Sequence, residues 1–139
     1  MTSAADEDRR WELAHIYEDE DAWEHDRRSL LERAKRLERF RGQLADDART
    51  LATVLDERAE LRRIAQRLHT YASLKSDQDL REPGPRALEQ RIEANLSELA
   101  TLLSWIEPEL LTVPSRTLWS LVEESEALEV HRRYLERLE

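Results

Sequence analysis

Apolar side chains in this 139-residue chain recur every three or four positions, and Arg, Glu and Asp fill the positions between them. That is the spacing of one buried face of an α-helix, and no stretch alternates at the two-residue period of a strand. The breakers fall between the periodic stretches. Both glycines (Gly42, Gly84) and all four prolines (Pro83, Pro85, Pro108, Pro114) stand where one apolar stripe stops and another starts. The pattern predicts an all-α fold, an elongated bundle of four or five long antiparallel helices with no strands.

Taken in order, residues 1–18 form an N-terminal extension with Trp11, Leu13, Ile16 and Tyr17 as anchors. A first helix is predicted over 19–41, capped by Asp19 or Asp21, with Trp23, Leu30, Ala34, Leu37 and Phe40 on its stripe and Gly42 as its stop. A second is predicted over 47–79, capped by Asp46 or Asp47. It carries Leu51, Val54, Leu55, Leu61, Ile64, Ala65, Leu68, Tyr71 and Ala72. A third, over 83–111, carries Leu88, Ile92, Leu96, Leu99, Leu102, Leu103 and Ile106, and Pro108 is expected to kink or end it. A short helix over 114–124, capped by Ser115, and a last one over 127–139 bearing Val130, Tyr134, Leu135 and Leu138 complete a single domain. The last helix has no stop signal, which suggests a fragment of a longer protein.

Composition narrows the functional classes. Charged residues make up 38% of the chain, yet the scarcity of Gly and Pro speaks for solvated helix faces rather than disorder. With no cysteine there is no disulfide, thiolate site or cysteine nucleophile. A net charge of -9 argues against nucleic-acid binding. The acidic, polar start lacks a signal-peptide pattern, and no apolar run approaches the ~18 residues of a membrane span, so a cytoplasmic location without membrane contact is expected.

Candidate chemistry is sparse. None of His15, His25, His69 and His131 makes the H-E-x-x-H pattern that places two imidazoles and a glutamate base on one helix face. Asp77 and Asp79 form a carboxylate pair near a helix end, a position where capping and solvation are the ordinary roles. The serines lack a G-x-S-x-G elbow, and two glycines cannot build a phosphate-binding loop. Trp11, Trp23, Trp105 and Trp119 read as core anchors, with one or two available to face a groove or partner.

Six short segments, in order, resemble the N-terminal region of the oligoendopeptidase F family of zinc metallopeptidases. They are Arg10-Trp-Glu-Leu-Ala-His-Ile-Tyr17, Asp21-Ala-Trp-Glu24, Phe40-Arg-Gly-Gln-Leu44, Tyr71-Ala-Ser-Leu74 through Asp77-Gln-Asp79, Trp105-Ile-Glu-Pro-Glu-Leu-Leu111, and the tail from His131 to Leu138. Leu80 departs from the family's usual Thr, Trp105 from a Phe, and Gly84-Pro85 stiffens the third helix.

The resemblance implies a parent several times longer, whose H-E-x-x-H zinc site lies downstream in a catalytic domain facing the helical lobe across a channel for short peptides. This chain is then expected to be a substrate-channel or lid domain with no catalytic, cofactor-binding or metal residue of its own. Zinc would belong to the full-length protein. Tyr71, Asp77 and Asp79 are the residues expected to face peptide. The expected partners are the missing catalytic domain, an oligopeptide held through the parent, and a second copy. The last would associate through apolar faces left exposed on the last helix and at the far end of the second. The alternative reading is an autonomous helical interaction or scaffold protein that self-associates or binds a partner helix.

Overall fold

The computed structural model describes residues 13–78 and 83–138, apart from the side chains of residues 78 and 83–86. All regular structure among them is helical. Residues 13–16 are helical, and α1 (Glu20–Arg36) passes into a 3-10 turn (Leu37–Phe40). There follow α2 (Ala48–Gln78), α3 (Pro83–Leu103), α4 (Ile106–Thr112), α5 (Ser115–Glu124), α6 (Glu126–Glu129) and α7 (Arg132–Leu138). Two caps match the sequence reading. Asp19 accepts the Ala22 amide at 2.9 Å, and Asp47 accepts that of Thr50 at 2.6 Å. Each carboxylate satisfies an amide that the first helical turn leaves unpaired. Ser115 is not a cap but the first residue of α5, with Pro114 ahead of it.

Where the pattern expects four or five helices, seven α-helices occur among the described residues, because two expected helices break. The third stops at Leu103. The Ser104 amide and hydroxyl both turn back to the Thr101 carbonyl, at 3.2 and 2.7 Å. Pro108 therefore falls in the first turn of α4, where its missing N–H has no intrahelical partner to lose. The last helix breaks at Val130 and His131, where the His131 amide bonds the Leu128 carbonyl at 2.9 Å. The break buries Leu128 and Leu135 completely and leaves Val130, which the stripe had placed inside, 77% exposed.

The described residues divide into two compact units. The first comprises residues 13–33 and 61–99. Its core holds Trp23, Leu30, Leu61, Leu68, Ala72 and Ile92, all fully buried. Trp23 is its anchor, since the indole N–H donates to the Leu68 carbonyl at 2.9 Å. Burying a ring of this size removes on the order of 200 Å² from water, and the hydrogen bond spares the one polar atom its desolvation cost. Contacts of Glu20 with Lys75 and of Trp23 with Leu68 run in opposite residue order, so α1 and α2 are antiparallel here. Contacts of Glu24 with Arg91 and of Arg27 with Asn95 run in the same order, so α1 and α3 are parallel.

The second unit comprises residues 34–60 and 100–138. Leu44, Leu51, Val54, Leu55, Ile106, Leu110, Leu128 and Leu135 are among its buried residues. Its connection between the 3-10 turn and α2 is closed by one side chain. The Glu109 carboxylate of α4 accepts the amides of Gly42 and Leu44, the latter at 3.0 Å. Gly42 has φ +86°, a left-handed conformation that turns its amide toward Glu109, and a Cβ there would meet nothing within 4 Å.

Trp23→Ala is expected to lower unfolding stability by about 3–5 kcal/mol, the cost of a large aromatic cavity, as read by urea denaturation. Gly42→Ala should cost about 1 kcal/mol from backbone strain alone. Gly42→Asn should cost less, because Asn tolerates the left-handed region; equal losses for Ala and Asn would refute the strain account.

Candidate functional site

Two of the three residues that the sequence singles out, Tyr71 and Asp77, stand in the C-terminal part of α2, within the first unit. Tyr71 is a core residue at 3% exposure. Its ring meets Tyr17 edge-on, with centroids 5.5 Å apart, and lies over Trp23 at 6.4 Å. These are the offset and edge-to-face arrangements that aromatic quadrupoles favour. Asp77 is exposed on the same helix. Asp79 lies outside the described residues.

Between Tyr71 and Asp77 stands Lys75, which sequence reasoning passed over. Its ammonium pairs with Glu20 at the start of α1 and lies 5.7 Å from the centre of the Tyr71 ring. Burial disfavours the charge on Lys75, but the hydrogen bond it donates to Glu20 and the adjoining Tyr71 outweigh it and lift its pKa above the ordinary lysine value. Burial also raises the Tyr71 phenol, against the opposing pull of Lys75. Tyr17 is raised further, first by burial and then by the hydrogen bond its hydroxyl donates to Asp26 and by the Asp26 charge. At neutral pH this end of the unit therefore presents a charged lysine held by a carboxylate over the neutral Tyr71 phenol, with the neutral Tyr17 phenol against the same ring. Such an arrangement can position a charged group or hold a chain, but it has no nucleophile paired with a base.

A second polar group lies in the other unit. His131 Nε2 is 2.6 Å from Asp56, Arg58 reaches Glu107 at 3.2 Å, and the Tyr134 hydroxyl donates to Glu107 at 2.9 Å. The Arg58 guanidinium also sits 4.5 Å from the centre of the Tyr134 ring. These contacts tie the C-terminal segment to α2 and α4. Sequence spacing could not have found them, because Asp56 and His131 are 75 positions apart. Among the described residues, no three His, Cys, Asp or Glu side chains gather where they could hold a metal ion.

The six segments that carry the family resemblance sort by unit. Tyr17, Trp23 and Tyr71, from three of them, form the aromatic contact of the first unit. The second unit joins the Gly42 turn to Glu109, which comes from the segment running from Trp105 to Leu111. What these segments share is packing and turn geometry.

No family model matches the chain. By sequence it is similar to oligopeptidase PepF of Bacillus subtilis, with 26% identity over 128 residues, which is 92% of this chain and 19% of that protein. It is similar to group B oligopeptidase PepB of Streptococcus agalactiae, with 24% identity over 136 residues, 98% of this chain and 23% of that one. The fold is similar to the crystal structure of oligoendopeptidase-F from Enterococcus faecium, with a TM-score of 0.76 and 27% identity, over 86% of this chain and 24% of that chain. The chain thus spans about a fifth of the length of the curated relatives it matches. In sequence and in fold, this chain resembles the N-terminal helical region of the oligoendopeptidase F family.

Proposed function

We propose that this chain is the substrate-channel or lid part of an oligoendopeptidase F-like zinc metallopeptidase, non-catalytic by itself, in a parent protein that hydrolyses oligopeptides. The observation that carries the reading is the likeness to oligoendopeptidase-F from Enterococcus faecium over 86% of this chain but only 24% of that one. The described residues do not fit a zinc site, since no group of three ligand-type side chains converges among them and His131 is engaged with Asp56. The role proposed for them is therefore steric and electrostatic. Asp77, exposed at the end of α2, and Asp79 would face peptide. Tyr71, at 3% exposure, would support that face from within by packing beneath Lys75. A cytoplasmic location belongs to the same proposal; no helix among the described residues is long and apolar enough to cross a membrane.

The alternative, an autonomous module that self-associates, draws on Leu111 and Val130, large apolar residues that are 62% and 77% exposed. The test that separates the two is a chimera in which this chain replaces the matching part of the Enterococcus faecium enzyme, assayed on a quenched fluorescent oligopeptide. Activity well above that of the same enzyme lacking the part supports the channel role. A folded but inactive chimera, together with a stable dimer of the isolated chain in sedimentation, would favour the alternative.

In an active chimera, Asp77→Asn should raise KM for peptides carrying Lys or Arg by about two- to five-fold, the worth of one exposed charge pair, with kcat unchanged. Unchanged KM for both cationic and neutral peptides would remove Asp77 from the peptide-facing surface.

A further inference from the structure

The buried face of α3 takes in one polar residue beside its apolar ones. Asn95 is buried at 6% exposure, together with Leu88, Ile92 and Leu99, whereas Leu96 is only half-buried. At about 100° per residue, Asn95 falls about 20° beyond Leu88, at one edge of the arc defined by Leu88, Ile92 and Leu99, and Leu96 falls about 40° beyond the other edge. Helix α1 repeats the arrangement. Arg27 lies about 40° outside the arc of Trp23 and Leu30, both fully buried. Each helix therefore carries one polar residue at the edge of its apolar seam, and the two meet: Arg27 Nη1 donates to Asn95 Oδ1 at 3.3 Å. Glu24 completes the group by pairing with Arg27, and Arg91 approaches its other oxygen at 3.7 Å. Arg27 holds the Glu24 carboxyl below the ordinary range by its hydrogen bond, so the group stays charged at neutral pH.

We propose that Arg27 and Asn95 form a matched polar layer that fixes the register of α1 against α3. The alternatives it excludes are built into the spacing. Apolar positions at 88, 92 and 99 repeat at intervals of four and seven residues, so sliding α1 by one turn still sets apolar against apolar at several positions. It would, however, set Arg27 beside Ile92 or Leu99 and leave Asn95 facing an apolar neighbour. Arg27 would keep Glu24 from its own helix, but burying the Asn95 amide with neither polar end paired costs more than any one apolar contact returns.

Stability alone does not account for Asn95. Its Nδ2 is buried with no hydrogen-bond partner, a net cost that a leucine at this position would avoid. A polar residue inside an apolar helix seam has its best-attested use in specifying register, at some expense of stability. The inference is independent of the proposed channel role.

The chain contains no cysteine, so two spin labels can be placed unambiguously at Asp21→Cys and Glu98→Cys, exposed positions on α1 and α3. Their displacement along the parallel helices makes the label distance sensitive to sliding. Pulsed dipolar spectroscopy should give one narrow distance in the otherwise unchanged chain. In R27L/N95L it should give a second population shifted by roughly 3–5 Å, up to one helical turn, with no loss of thermal midpoint. A single unshifted distance in the folded double variant would overturn the proposal, whatever happens to the midpoint. Should that variant fail to fold, N95L alone decides. Broadening or doubling of its distance supports the layer as a register device, and an unchanged narrow distance overturns it.

Discussion

The apolar stripe of α2 is the constraint on which the rest of the structure depends. Over 31 residues, about 45 Å at the α-helical rise, this helix supplies Leu51, Val54 and Leu55 to one core and Leu61, Ile64, Ala65, Leu68, Tyr71 and Ala72 to the other. All nine are buried. Few other helices here are long enough to be stable alone: α4 and α7 have seven residues each and α6 has four. Isolated helices of that length are marginal in water. They hold their shape because burial of their apolar residues in the folded chain offsets the entropy of ordering them.

Polar contacts then decide how each helix meets that stripe. In the first unit, Trp23 places α1 by donating to a carbonyl inside α2, at Leu68, and the layer of Arg27 and Asn95 places α1 against α3. In the second, Glu109 closes the Gly42 turn while Glu107, the second residue of α4, gathers Arg58 and Tyr134. Apolar burial is non-directional and tolerates sliding. These hydrogen bonds and ion pairs are short-ranged and directional, and they single out one arrangement from several that bury similar area.

The functional reading follows the same division. Motifs that mark the resemblance to oligoendopeptidase F are aromatic anchors and a glycine turn, so they report a scaffold. Tyr71 illustrates the difference. Its place in a motif made it a candidate for contact with peptide, but its ring is packed between Tyr17 and Trp23. Lys75, which no motif distinguishes, holds the partly exposed position beside it and pairs with Glu20.

Much of the architecture was legible without coordinates. Periodicity located the long helices, and carboxylates at 19 and 47 marked two of their starts, because propensity, capping and amphipathicity act over a few residues. It was not legible that the third and last helices break at Ser104 and Val130, since each break uses a backbone or hydroxyl bond that competes with the helix only in its packed setting. Nor was it legible that Asn95 would be buried in place of Leu96. Residue type favoured the leucine, and only the neighbouring helix, by presenting Arg27, made the asparagine's burial tolerable. Sequence by itself determined which stretches are helical and which face of α2 is apolar, because those depend on contacts within one or two turns. Tertiary structure alone decided which polar groups meet across dozens of residues, because their pairing depends on distances that no local spacing encodes.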